Sequence, residues 1–193
     1  MRNKLRILVA DDEGIIRLGL KTMLQEMGHE TLLAANGREA LDIARTANPD
    51  LAILDIRMPL TDGLEAAKVI ARKHPMPVLL LTAYSEQDLI RKAAELPVQS
   101  YLIKPVDERD LSAAIQIALA RFVDAQAAQQ KIVELEETIE TRKLVEKAKG
   151  LLIKSGLTEE AAYLAIQRRA RDERTSMRRV AENILKGRLS TDA

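Results

Sequence analysis

The chain has 193 residues, of which 47% are apolar, with no cysteine, two histidines, three tyrosines and one phenylalanine. That suffices for one large or two small domains around an aliphatic core. It excludes disulfides, thiolate nucleophiles and Cys- or His-rich metal sites, and it leaves few aromatic platforms for single-stranded nucleic acid. The N-terminal MRNKLRILVADDE is too brief in its apolar run for a signal peptide, and no stretch approaches a membrane span, so a soluble, cytoplasmic protein without membrane contact is expected. The net charge of +1 hides an asymmetry: residues 1–140 carry 17 Lys+Arg against 22 Asp+Glu, and residues 141–193 carry 13 against 7. An acidic front and a basic tail is the split expected when one end meets a polyanion, although a solvated helical surface produces the same counts.

In chain order, short β-branched apolar runs stand at LRILVA (5–10), ETLLAA (30–35), DLAILD (50–55), PVLLLT (77–82) and SYLIKP (100–105). Amphipathic segments follow them: IIRLGLKTML, GREALDIART, DGLEAAKVIARK, SEQDLIRKAAEL and DERDLSAAIQIALARF. Five strand–helix alternations predict a doubly wound α/β domain with a five-stranded parallel sheet. Runs 5–10, 50–55 and 77–82 are almost wholly apolar, as central strands covered on both faces must be. From Asp110 to Lys149 there is neither Gly nor Pro, which predicts a long helix. Within it Ile132, Leu135 and Ile139 form a brief coiled-coil seam, read as a dimer contact over a linker packed on its own domain. Two short helices close the chain. One runs from Glu159 to about Arg171 behind a Thr158 cap, and one starts after Thr175–Ser176 and stops at Gly187. With the end of the long helix they make a three-helix unit whose expected core is Leu151, Leu152, Ala162, Tyr163 or Leu164, Ile166, Ala170, Val180 and Ile184.

Ligands of parallel α/β sheets bind at the carboxyl ends of the strands. There the chain places Asp11–Asp12–Glu13 after the first strand, Asp55 at the third, Thr82 at the fourth and Lys104–Pro105 at the fifth. Asp11, Asp12 and Asp55 are hard oxygen ligands suited to Mg²⁺, which takes one or two carboxylates plus water and phosphate oxygens. Lys104 and Thr82 can hold phosphoryl oxygens, and Asp55 can attack phosphorus to give an aspartyl phosphate. Any one of these residues alone is more simply a helix cap or a strand former; all of them at the correct ends of four strands point to a site.

These pieces, VADDE, ILDIRMPLTDG, LLTAY and YLIKP, resemble in order and spacing the receiver domain of two-component response regulators over about three-fifths of the chain. The resemblance implies Asp55 as phosphoacceptor from a sensor histidine kinase, and Asp11, Asp12 and the Arg57 backbone carbonyl as Mg²⁺ ligands. It also implies Thr82 and Tyr101 as a switch pair, Lys104 against the phosphoryl group and a cis Lys104–Pro105 bond. A haloacid-dehalogenase-type phosphatase would need an Asp two residues after the nucleophile, where this chain has Arg57, and is set aside.

The tail resembles the ANTAR domain, a three-helix RNA-binding output module, through Ala148-Lys149-Gly150, Gly156, Glu159 or Glu160, Ala162-Tyr163, Ala170 and Val180-Ala181 with Ile184. It departs at Arg178–Arg179, where acids are frequent in the family. The resemblance implies binding of paired hairpins in nascent transcripts, so that a terminator cannot form. Lys147, Lys149, Gly150, Tyr163, Arg168, Arg169, Arg171, Arg178 and Arg179 are the expected contacts, the cations on phosphates and Tyr163 either stacked on a base or packed in the core. The expected organisation is a receiver at 1–123, a helical coiled-coil linker at 124–140 and an ANTAR-like domain at 141–193, dimeric on activation. The chain is expected to be a signalling switch rather than an enzyme. A DNA-binding regulator and a protein-binding adaptor acting through the coiled coil are the alternatives.

Overall fold

The computed structural model describes residues 4–83 and 98–187. The expected helix at 85–96 lies outside them. Five parallel strands, β1 (Arg6–Ala10), β2 (Glu30–Ala34), β3 (Leu51–Asp55), β4 (Val78–Ala83) and β5 (Ser100–Lys104), form one sheet in the order β2-β1-β3-β4-β5. The register pairs Leu8 with Leu32 and Ala52, Leu54 with Leu80, and Thr82 with Ile103. β3 is buried along its whole length, as the unbroken apolar run predicts for a strand covered on both faces.

The period of two sorts the strand residues into two layers. Leu8, Ala10, Leu54 and Leu80 pack with Ala40, Ala44, Ala66 and Ile70 of α2 (Gly37–Ala47) and α3 (Gly63–Lys73). Ile7, Val9, Ile53 and Leu81 pack with Leu20 and Leu24 of α1 (Gly14–Glu26) and with Leu111, Ile115 and Ala118 of α4 (Glu108–Lys154). Several helix starts are fixed locally. Asn36 Oδ1 accepts from Glu39 N at 2.9 Å while the Glu39 carboxylate accepts from Asn36 and from Ala35 N, a reciprocal cap. Asp62 and Asp107 cap α3 and α4 with acceptor contacts of 2.7 and 2.8 Å.

The chain divides into two compact units between Gln126 and Ala127. α4 is one continuous helix of 47 residues that belongs to both, and its residues 123–140 are all exposed. The second unit adds α5 (Glu159–Asp172) and α6 (Met177–Leu185), with Thr158 and Ser176 as their caps. Its core is Val145, Ala148, Leu152, Ala162, Ile166, Ala170, Val180 and Ala181. Leu151 and both alternatives at the next expected place, Tyr163 and Leu164, are not in it. Leu151, Tyr163 and Leu164 are 42%, 44% and 58% exposed, while the alanines at 148, 162 and 181 are fully buried on the inward faces.

Candidate functional site

The first candidate site sits on the carboxyl edge of the sheet. Asp11 follows the last residue of β1, and Asp55 ends β3; both are buried, whereas Asp12 is exposed. One carboxylate oxygen from each of Asp11, Asp12 and Asp55 lies within 4.8 Å of the others. Lys104 enters from the end of β5 and places its Nζ 2.8 Å from Asp11 Oδ2 and 3.1 Å from Asp55 Oδ1. Asp11 Oδ1 accepts from Glu13 N at 2.8 Å, which shapes the β1–α1 turn. Asp11 Oδ2, fully buried, has the ammonium as its charge partner and no well-directed hydrogen bond. Thr82 is fully buried at the end of β4, with its hydroxyl donating to the Ala83 carbonyl at 3.2 Å. Tyr101 is 53% exposed, and the Lys104–Pro105 bond is cis.

Burial drives the electrostatics. Desolvation raises the Asp55 carboxyl to about 6, against the opposing pull of Lys104 and with support from the charges of Asp11 and Asp12. Burial alone would lower the Lys104 ammonium, but its bonds to Asp11 and Asp55 outweigh this and hold it above its ordinary value. Lys104 bridges two of the three acids, and its one positive charge does not balance the cluster. The surplus negative charge and the all-oxygen donor set fit a hard divalent cation of the Mg²⁺ class.

Two positioning residues at this site carry no chemical signal in the sequence. Arg17 Nη1 donates to the backbone carbonyls of Asp11 (2.6 Å) and Asp12 (3.0 Å), holding the turn that presents both carboxylates. Gly63, the first residue of α3, lies so close to Asp55 that an added Cβ would strike the Asp55 carbonyl oxygen and stand 2.8 Å from its carbonyl carbon. Asp62–Gly63 reads in the sequence as an ordinary turn; only the sheet shows that α3 starts against the backbone of Asp55.

The second candidate region is the cationic surface of the C-terminal unit. Its basic residues do not form one class. Lys149, whose side chain is only 13% exposed, is bridged to Glu146 (2.8 Å) and Glu159 (2.9 Å), so it ties α4 to the start of α5. The bonds to Glu146 and then Glu159 raise its ammonium above the usual lysine value, and the same bond lowers the Glu159 carboxyl. Arg169 pairs with Glu173 at 2.9 Å and Arg178 with Glu182 at 3.1 Å. Lys147, Arg168, Arg171 and Arg179 are exposed and outside every ion pair found among the described residues. Arg168 and Arg171 share the outer side of α5 with the exposed Leu164, opposite Ala162, Ile166 and Ala170.

A parallel sheet in 2-1-3-4-5 order with a lysine-bridged carboxylate cluster at its carboxyl edge, joined by one helix to a small three-helix unit, defines a receiver with an output module. Residues 7–116 match the response regulator receiver domain and residues 133–185 match the ANTAR domain. The chain belongs to the response-regulator family, as a receiver followed by ANTAR, and it is a phosphorylation-regulated signalling switch rather than a metabolic enzyme. It is similar to the transcriptional regulatory protein PdtaR of Mycobacterium tuberculosis, 46% identical over 182 residues that cover 93% of this chain and 89% of that protein. Among solved structures it resembles a response regulator receiver domain protein of Clostridium thermocellum, with 35% identity, a TM-score of 0.57, and 61% of this chain and 95% of that one covered. The chemotaxis protein CheY4 of Vibrio cholerae is similar at 30% identity and a TM-score of 0.57, covering 60% and 99%. Among the described residues no helix is long and apolar enough to cross a membrane.

Proposed function

We propose that Asp55 accepts a phosphoryl group from a sensor histidine kinase and that this enables the ANTAR unit to bind hairpin RNA in nascent transcripts and prevent termination. The observation that carries the reading is the position of Asp55: buried at the end of β3, flanked by two further carboxylates and 3.1 Å from Lys104. A carboxylate oxygen of Asp55 attacks phosphorus as the P–N bond to the donor imidazole breaks, and the imidazole leaves with a proton. Asp55 must be ionised to attack; burial raises its carboxyl to about 6 in the metal-free site, and a bound cation would favour the ionised form. Asp11, Asp12, Asp55 and the Arg57 carbonyl would hold Mg²⁺, which when bound neutralises charge on the phosphoryl oxygens. Lys104 supplies a second positive charge, and the Thr82 hydroxyl turns to a phosphoryl oxygen while the Tyr101 ring, exposed here, moves inward.

The active state favours a dimer through the exposed stripe Ile132, Leu135 and Ile139, each about half exposed on α4. Two ANTAR units on one dimer hold two hairpins, and effective concentration raises affinity without new contacts. Lys147, Arg168, Arg171 and Arg179 are the cations open to phosphate, and Tyr163, 44% exposed, is open to a base. Sedimentation of wild type and Asp55→Ala, with and without the phosphoryl mimic beryllofluoride, tests the coupling. Wild type shifts to dimer on activation and Asp55→Ala does not; a variant that dimerises and binds RNA like activated wild type ends the reading.

A further inference from the structure

The turn from β2 into α2 contributes no ligand to the acidic site, yet it touches both sides of it. At its start, the Ala34 carbonyl accepts from Asp11 N at 3.3 Å. At its end stands Gly37, the buried first residue of α2. A Cβ on Gly37 would strike the Thr61 carbonyl oxygen and stand 2.9 Å from Thr61 Cβ and 3.0 Å from its carbonyl carbon. Gly37 has no positive φ, so close approach, and not backbone conformation, accounts for the glycine. Between the two ends, the reciprocal cap holds the turn: the Glu39 carboxylate accepts from Ala35 N at 2.9 Å and from Asn36 Nδ2 at 2.8 Å.

Thr61 belongs to the loop 56–62, which leaves Asp55 and carries the Arg57 carbonyl. Ile56 and Met58, 3% and 9% exposed, anchor this loop from inside, and Gly63 N closes it by donating to the Ile56 carbonyl at 2.9 Å. Leu60 on its outer side is 81% exposed and held at φ 70. A leucine keeps that left-handed conformation only where its surroundings impose it, and here its side chain gains no burial in return. Gly37 of α2 and Gly63 of α3 are packed against this stretch of backbone, at Thr61 and at Asp55.

We propose that the Ala34–Gly37 turn is a brace for the metal site, with Gly37 as its positioning residue. The turn holds Asp11 on one side and the 56–62 loop on the other, and so sets the spacing between the Asp11 carboxylate and the Arg57 carbonyl. Any side chain at 37 drives the loop away from α2. This rests on the reading that Asp11, Asp55 and the Arg57 carbonyl hold Mg²⁺. Groups that touch no metal but orient its ligands change affinity by about ten- to a hundredfold.

The test uses the full chain, with Mg²⁺ affinity measured by isothermal titration at pH 7.5 and folding followed by circular dichroism and thermal melts. Gly37→Ala is expected to raise the Kd for Mg²⁺ by about tenfold in protein that circular dichroism shows to be folded. It is also expected to shrink the rise in melting temperature that Mg²⁺ gives. Ala44→Gly is the control. It weakens the same helix at a fully buried position roughly two turns beyond Gly37, and is expected to lower the melting temperature with no change in Mg²⁺ affinity. If both variants raise the Kd alike, the effect is one of helix stability and the brace is wrong; if neither does, it is wrong as well. Should Gly37→Ala not fold, Glu39→Ala decides in its place, because it frees Asn36 and Ala35 without adding an atom against Thr61. A raised Kd in Glu39→Ala supports the brace, and an unchanged one overturns it. No Mg²⁺ binding by wild type overturns the proposal together with the reading beneath it.

Discussion

The two charged regions of this chain are built in opposite ways. At the receiver site, ionisable groups are brought together by backbone: each stands at or just beyond the end of a strand, and the sheet register decides which carboxylates meet. Asp11 and Asp55 are buried beside Lys104, and Asp55 is pushed up to about 6. In the ANTAR unit the cations stand on the outer faces of short helices, where water screens them and each finds or misses a partner by local spacing. Lys149 is neutralised twice, while Arg168 and Arg171 are left open. A buried site is thus sensitive to single atoms, and an exposed one to the sum of its charges.

The largest expected effect follows from that sensitivity. Gly63→Val pushes a side chain into the backbone of Asp55 and is expected to cost about 3 kcal/mol in urea unfolding and to abolish phosphorylation seen by intact mass. Equal stability and equal phosphorylation in this variant would break the contrast. Lys104→Met comes next. It leaves Asp11 and Asp55 without their shared cation, for an expected loss of about 2–3 kcal/mol that saturating Mg²⁺ partly restores. Asp55→Asn acts in the other direction. The folded carboxyl titrates near 6 and the unfolded one at 3.8, so the native state binds its proton more tightly. The carboxylate is therefore no burden below about pH 4, and it becomes a growing burden as pH rises through 4 to 6. Removing it is expected to stabilise the Mg²⁺-free protein at pH 7.5 by about 2 kcal/mol, allowing for screening, and to leave it unchanged at pH 3.5. By the same titration, Mg²⁺ binding to wild type weakens as pH falls through 6. The smallest effect belongs to the second region: Thr158→Ala removes the α5 cap and costs about 1 kcal/mol there, with no change in phosphorylation.

The same contrast explains what was legible in the sequence. Strands of alternating or continuous apolar residues, four of the five followed or closed by an acid, a threonine or a lysine, specify both the sheet and its carboxyl edge, so the strand-end positions of Asp11, Asp12, Asp55, Thr82 and Lys104 could be placed from the chain alone. Cap residues such as Thr158 and Ser176 were equally readable, because their signal is local. Close approach was not. Gly63 looks like any turn glycine until α3 is seen against Asp55. On the helices, the phase of the buried stripe was blurred by alanines, which bury as completely as leucine but carry little sequence signal. Ala148 and Ala181 close the second core while Leu151 and Leu164 stay outside it. Arg17 and Lys149 were invisible in their real roles for a related reason. A cation that binds a carbonyl or a carboxylate within the fold has the same letter as one that waits for phosphate.

The central claim is that the chemistry at Asp55 controls the basic surface. The most direct measurement is RNA affinity by gel shift at two salt concentrations, for wild type and Asp55→Ala, with and without beryllofluoride, on twin-hairpin RNA and on duplex DNA of equal length. The account predicts that beryllofluoride tightens wild-type binding to the RNA, that the gain is absent in Asp55→Ala, and that duplex DNA is bound more weakly throughout. RNA affinity that is the same in all four states, or a preference for duplex DNA, would contradict it.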